Sequence, residues 1–348
     1  MIKQGNKTEK EYRALEMESS SSLKEFSLNR RKYRKKYILK EKVEEEESKA
    51  SVVGRVVETL LFEPDKFDER FYLSSTASAP TGLMLAFVEA LYKYTTLATD
   101  EEGNITREFK DIAIDAHKES GFKWKLEAVL ENFVGSDNEI YYKEIREVRS
   151  KGLTVITIED IQNAEKIVEE LKTNEFTAHI FNKFDDKRYQ VLIQHQIEGY
   201  EVDGEFFKSM MDIVVVDNKE RTIQVYDLKI VWAVEGFYVE YYLFRRAYIQ
   251  AYLYKEACYE LKKRWNLDHY EVLNPKFVVG DSINYYNPLI YELNNSDIND
   301  AYVGFTHNGR KYPGVKELVV ELKWAKETNN WTISRKNYLN MGVINIKG

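Results

Sequence analysis

One cysteine, Cys258, occurs in the 348 residues of this chain. A lone thiol excludes an internal disulfide framework and an iron–sulfur cluster held by four cysteines, and Cys258 reads as a small core residue. An excess of positive charge is also missing. Lys and Arg number 51 against 58 Asp and Glu, a net charge of −7, so there is no global basic field and any nucleic-acid contact must come from local patches. No apolar run reaches the length of a membrane-crossing helix, and Met1-Ile2-Lys3-Gln4-Gly5-Asn6-Lys7 lacks the apolar stretch of a signal peptide. A cytoplasmic protein without membrane contact is therefore expected. No internal repeat appears, and low complexity is confined to a serine run and a Glu-rich tract. The composition, 43% hydrophobic and 14% aromatic, excludes a disordered chain and supplies core for one elaborated domain or two.

Chemistry is concentrated in one region. Met211-Asp212-Ile213-Val214-Val215-Val216-Asp217 is an apolar run, Asn218-Lys219-Glu220-Arg221 is polar enough to turn, and Thr222 to Ile230 resumes the strand pattern. In the second strand Asp227 and Lys229 share a face, with Leu228 turned to the opposite, apolar layer. Antiparallel pairing across the turn can bring Asp212 beside Asp227. Two neighbouring carboxylates repel each other, and a hard cation such as Mg²⁺ relieves that repulsion while leaving positions for water and a phosphate oxygen. An ammonium at Lys229 would neutralise charge developing on a phosphate or orient the attacking water. Tyr241 to Trp265 reads as a helix on which Gln250 and Tyr254, at i and i+4, share a face able to approach this site. The plainer alternative is a solvated hairpin edge carrying an ion pair, since 31% of the chain is charged.

The series Asp212…Asp227-Leu228-Lys229…Gln250-x-x-x-Tyr254 resembles the RecB-like branch of the PD-(D/E)XK nucleases. Upstream, Gly54-Arg55-Val56-Val57-Glu58-Thr59-Leu60-Leu61-Phe62-Glu63-Pro64-Asp65-Lys66-Phe67 is similar to the family's first helix and its EPxxF exit. That exit is typical of the subgroup around exodeoxyribonuclease VIII and its phage relatives. Ser19-Ser20-Ser21-Ser22-Leu23-Lys24-Glu25-Phe26 resembles the SxSxLKxF segment that opens many members. Two departures stand out. The family's histidine falls on Glu58, and Ile230 replaces the threonine that often follows the lysine. The resemblance implies an α/β fold, a restriction-endonuclease-like core whose central mixed β-sheet is flanked by helices, with an inserted helical region. It implies Mg²⁺ or Mn²⁺ held by Glu58, Asp212, Asp227 and the carbonyl of Leu228. Lys229 would assist the attacking water, and Gln250 and Tyr254 would position the strand. For Glu58 the plain alternative is the solvated face of an amphipathic helix.

Local charge points to nucleic acid as well. Arg30-Arg31-Lys32-Tyr33-Arg34-Lys35-Lys36-Tyr37 sets six cations and two tyrosines in eight residues, a pattern suited to phosphate neutralisation with aromatic stacking. A solvated helix balanced by the Glu-rich stretch from Glu41 to Glu47 explains the same residues. His195, between Gln194 and Gln196, is assigned no role, and Trp232, Trp265, Trp324 and Trp331 are read as core or interface residues.

The organisation expected is a charged N-terminal arm over 1–49 ending in an exposed Glu-rich tract, a first core helix and exit over 50–76, a helical insertion over 77–172, and the nuclease core over 173–348. Helices are expected at Leu83 to Leu97, Arg107 to Ser120, Lys123 to Val134, Ile158 to Leu171 and Gly314 to Lys326. Strands are expected at Arg188 to Val202, Glu205 to Asp217, Thr222 to Val231, Tyr270 to Val279 and Pro288 to Leu293. The function implied is a metal-dependent DNA exonuclease resecting linear ends for recombination or repair. The resemblance adds a single-strand annealing or recombination protein as partner, a ring-shaped homo-oligomer, and a host cytoplasm if the gene is carried by a phage. A structure-specific endonuclease on the same fold and a non-catalytic DNA-binding scaffold are the alternatives.

Overall fold

A computed structural model describes residues 7–41, 49–184, 186–284 and 287–344. The chain divides into two compact units, Met1–Glu47 with Glu169–Gly348, and Ser48–Val168.

Three short helices, α1 (Glu9–Ala14), α2 (Ser20–Leu28) and α3 (Arg30–Tyr33), open the first unit. They do not form the charged arm expected over 1–49. Ser19 caps α2 through a reciprocal bond with Ser22, and the helix turns Leu23 and Phe26 into the core. Just before it, Glu18 adds a parallel bridge to the central sheet. Its amide donates to the Phe206 carbonyl at 3.1 Å, and the Lys208 amide donates to the Glu18 carbonyl at 2.8 Å. Apolar anchoring of this kind outweighs the high local charge. The expected Glu-rich tract lies, beyond Glu41, outside the described residues.

The second unit begins with α4 (Lys49–Phe62), which buries Val53, Val56, Val57 and Leu61, and so has the apolar stripe expected of the first helix. In the exit, Glu63 pairs with Lys66 and Arg70. Burial raises the Glu63 carboxyl, but those two hydrogen-bonded cations outweigh it and hold the group below its ordinary range. Then come α5 (Phe67–Arg70), β1 (Phe71–Leu73), α6 (Gly82–Leu97), α7 (Phe109–Ser120), α8 (Leu126–Phe133) and α9 (Asp137–Arg149). β2 (Thr154–Ile156) pairs with β1 in parallel, and α10 (Ile158–Thr173) follows. Helix α9, unmarked in the sequence reading, buries Tyr141, Tyr142, Ile145 and Val148. The segment expected as a separate first core helix and exit, 50–76, is part of this unit. The unit's second limit falls after Val168 instead of 172, inside α10.

A short α11 (Ala178–Phe181) leads back into the first unit and its sheet. β3 (Tyr189–Val202), β4 (Glu205–Asp217) and β5 (Thr222–Val231) form the expected antiparallel set. A π-helical segment, Tyr238–Phe244, precedes α12 (Ala247–Arg264). The single helix expected from Tyr241 is therefore interrupted, and Arg246, at φ 57°, is the break. The strand expected from Tyr270 is likewise two, β6 (Glu271–Val272) and β7 (Lys276–Asp281), since Pro275 between them cannot donate to a ladder. β8 (Leu289–Glu292) completes the order β3-β4-β5-β7-β8 with β6 beside β5. The fold is thus mixed α/β, a central sheet with antiparallel and parallel pairs flanked by helices.

Helix α13 (Asn295–Val303), the hairpin of β9 (Phe305–His307) and β10 (Arg310–Tyr312), α14 (Val315–Thr328) and α15 (Arg335–Leu339) finish the unit. Gly314 caps α14 where no side chain fits, because a Cβ there would lie 2.2 Å from the Tyr302 carbonyl oxygen. Cys258 is fully buried with its thiol 3.8 Å from the Met211 sulfur, and burial pushes its pKa up to about 12.

Candidate active site

Pairing of β4 with β5 runs as far as Ile213 opposite Tyr226. The next positions along the two strands are Asp212 and Asp227, so the hairpin sets the carboxylates against each other where the ladder ends. Asp212 is tied down by the strand beside it: its Oδ2 accepts the Leu228 amide at 2.9 Å, and its Oδ1 faces the Gln194 amide at 3.4 Å. Asp227 is 1% exposed. A charge that deep is tolerable only with partners. Its Oδ1 accepts from Gln250 Nε2 at 2.7 Å, while Oδ2 is buried without a hydrogen bond of ordinary geometry and is met by the Lys229 ammonium as an ion pair. The alternation along β5 thus delivers an acid and an amine to one face, as the sequence pattern requires.

Helix α12 supplies the opposite wall. Gln250 and Tyr254, one turn apart, are both buried, and Gln250 Nε2 also donates to the Tyr254 hydroxyl at 2.8 Å. The hydroxyl in turn donates a hydrogen bond to the Met210 carbonyl at 2.7 Å. Burial, then Asp227 and Asp212, push the Tyr254 phenol well above its ordinary value, so it stays protonated and fixed as a donor. The expected quintet of Asp212, Asp227, Lys229, Gln250 and Tyr254 is therefore a single connected cluster.

One member was not assigned from sequence. Lys24, from α2, donates to Gln250 Oε1 at 2.9 Å. That bond fixes the amide's orientation, because with Oε1 occupied by Lys24 only Nε2 can face Asp227 and Tyr254. Burial first and then Lys229 lower the Lys24 pKa to about 8, against the opposing pull of Asp227. The signal that could have found it was the SxSxLKxF match itself, whose lysine carried no assigned role.

The donor set suits a hard cation. Lys229 Nζ lies 3.2 Å from the Leu228 carbonyl oxygen and is paired with Asp227 Oδ2, so an ammonium already contacts two oxygens of the proposed metal set. Among the described residues no group of three or more His, Cys, Asp or Glu side chains is gathered as a metal site. Glu58 is half-buried on α4, in the other unit.

The basic octet is not what its composition suggested. Tyr33 is fully buried; its hydroxyl donates to Glu18 at 2.6 Å, and its ring stacks on Tyr37 at 5.0 Å and Trp331 at 5.7 Å. Arg30 is bound to Glu321 at 2.7 Å and to the Ile333 carbonyl, and Lys32 pairs with Glu25 at 3.1 Å. The tyrosines thus serve the core instead of stacking on bases. Arg31 and Lys35 are exposed, while Arg34 and Lys36 are partly buried. His195 is 6% exposed with its ring against Trp265, and burial, then Arg264, lower its pKa. Trp331 is buried, Trp265 and Trp324 pack against the core, and Trp232 is 51% exposed.

No protein-family model matches the chain, and no curated protein matches it. Among solved structures it is similar to a chain from Eubacterium rectale described as a "putative exonuclease", with 12% identity and a TM-score of 0.44 over 85% of this chain and 81% of that one. No helix among the described residues is long and apolar enough to cross a membrane.

Proposed function

We propose that the chain is a divalent-metal-dependent nuclease hydrolysing phosphodiester bonds of DNA, with exonuclease action on linear ends as the preferred mode. The observation that carries this reading is Asp227: a fully buried carboxylate gripped by Gln250 on one oxygen and by Lys229 on the other, with Asp212 facing it one step past the last ladder pair. A purely structural acid gains nothing from a second carboxylate beside it, whereas a cation site requires one.

Asp212, Asp227 and the Leu228 carbonyl would hold Mg²⁺ or Mn²⁺, and Glu58 enters this set on the resemblance alone. The metal, when bound, would supply a nucleophilic water near neutral pH and polarise a phosphate oxygen. The remaining steps belong to the protein. Lys229, released from Asp227 when a cation takes its place, would turn its ammonium to the attacking water or to the phosphate charge. Gln250 and Tyr254 hold Asp227 in orientation, and Lys24 brings a second ammonium to the Gln250 amide.

The test is degradation of end-labelled linear DNA with Mg²⁺ and Mn²⁺ compared. Asp227→Ala and Lys229→Ala should each abolish it with folding intact. Undiminished hydrolysis by both purified variants would sink the proposal. A covalently closed circle, cut or spared, separates endonuclease from exonuclease action. Resection for recombination, an annealing protein as partner and a ring-shaped oligomer remain parts of the proposal that follow from the resemblance.

A further inference from the structure

The strand and helix that build the site continue into a surface with a different composition. Three residues beyond Lys229, Trp232 leaves β5 with 51% of its surface exposed. The π-helical segment then presents Tyr238, 40% exposed, and Phe244, 49% exposed. Three arginines are interleaved with these rings. Arg245 lies over the Tyr241 ring at 4.5 Å, and Arg310, from β10, lies over Phe244 at 5.4 Å. Arg246 has one guanidinium nitrogen, Nη1, buried without a hydrogen-bond partner. Among the described residues no carboxylate lies within ion-pair distance of any of the three. In a chain of net charge −7, that is a local positive cluster. The nearest acid on the segment, Glu240, accepts from the Trp232 indole at 3.0 Å.

We propose that Trp232, Tyr238, Phe244, Arg245, Arg246 and Arg310 form a binding platform for a single-stranded nucleic acid, with bases stacked on the exposed rings and phosphates met by the arginines. Exposed planar rings alternating with unpaired guanidinium groups match a polyanion whose charges alternate with flat faces. The position supports the same occupant. Arg246 stands four residues before Gln250 at the start of α12, and Trp232 three residues beyond Lys229 at the end of β5, so the platform adjoins the ends of the two elements that carry the Asp227 cluster. A role for the platform as a substrate path rests on the nuclease reading. The strain at Arg246, a long side chain at φ 57°, fits a residue held for binding.

The test uses the full chain in EDTA, with a fluorescein-labelled oligothymidylate of about 20 nucleotides as probe and anisotropy as readout. The variant carrying Arg245→Ala and Arg310→Ala should bind at least tenfold more weakly and lower the slope of log Kd against log salt by about 1 to 2. The variant carrying Trp232→Ala and Phe244→Ala should also lose roughly tenfold, with the slope unchanged, since stacking releases no counterions. Because Arg310 is exposed, Arg310→Glu gives a second reading should a double variant fail to fold. Binding unaltered in these variants, at unchanged melting temperature, overturns the inference. Competition by polyglutamate as effective as by unlabelled oligonucleotide also overturns it, in favour of an acidic protein partner. Wild-type protein that binds through these residues yet hydrolyses nothing removes the nuclease reading alone.

Discussion

Replacing Lys24 by methionine separates a functional lysine from a structural one, because the two cases give opposite signs. Methionine keeps the volume and the apolar stem and deletes the ammonium. Burial holds the Lys24 pKa near 8 in the fold, against 10.5 in an open chain, a gap worth roughly 3 kcal/mol against the charged form. The variant escapes that penalty but leaves Gln250 Oε1 without its 2.9 Å donor, at a cost of about 1 kcal/mol. The net expectation is a variant about 1–2 kcal/mol more stable than wild type at pH 7.

The sign with pH follows from the lowered pKa. Below pH 8 the folded wild type carries the whole penalty of a buried ammonium; between pH 8 and 10.5 the penalty fades, and above 10.5 the lysine is neutral in both states. Wild type therefore gains on the variant as the pH rises through that window. Tyrosines ionising in the same range affect both proteins alike and cancel in the difference. Urea unfolding at pH 7, 8, 9 and 10, with DNA hydrolysis measured at pH 7, gives the whole result. The expected pattern is a more stable and at least tenfold less active variant, its advantage shrinking as the pH rises. A less stable variant with a pH-independent difference would refute the reasoning and make Lys24 a structural residue.

Other positions give shorter tests. Tyr254→Phe removes a hydroxyl that donates to Met210 and accepts from Gln250, so unfolding by urea should show a loss of about 2 kcal/mol, and a loss under 0.5 would mean those bonds are dispensable. Gly314→Ala drives a Cβ against the Tyr302 carbonyl and the Gly304 amide, 2.2 and 2.3 Å away, and should destabilise the fold by on the order of 3 kcal/mol in the same assay; a neutral result would show that the α13–α14 junction can relax. Glu58→Ala should raise the Mn²⁺ concentration for half-maximal hydrolysis at least tenfold, and an unchanged metal dependence would remove Glu58 from the ligand set.

What could be read from the sequence was what short-range periodicity encodes. Strand alternation put Asp227 and Lys229 on one face, and the helical repeat stacked Gln250 on Tyr254; both relations hold in the structure because each depends on a single element's geometry. Interruptions were harder. Pro275 splits an otherwise strand-like run by withholding a ladder donor, while Arg246 carries no propensity for the left-handed conformation that ends the aromatic segment and starts α12. The N-terminal region was misjudged for a different reason. Its charge count conceals Leu23, Phe26 and Tyr33, whose burial is decided by partners such as Trp331 at the far end of the chain.

Lys24 shows most clearly where legibility stops. Its bond to Gln250 spans 226 residues, and the SxSxLKxF match that contains it says nothing of that partner. Its meaning depends on a proton inventory that only the assembled site reveals. Asp227 needs a donor at Oδ1, the Tyr254 hydroxyl needs one as well, and a single amide nitrogen serves both. That leaves the amide oxygen of Gln250 facing inward, where only a donor can stand. A cationic donor there polarises the amide and strengthens its grip on Asp227, so the charge burial that destabilises Lys24 also tightens the carboxylate on which the proposed chemistry turns.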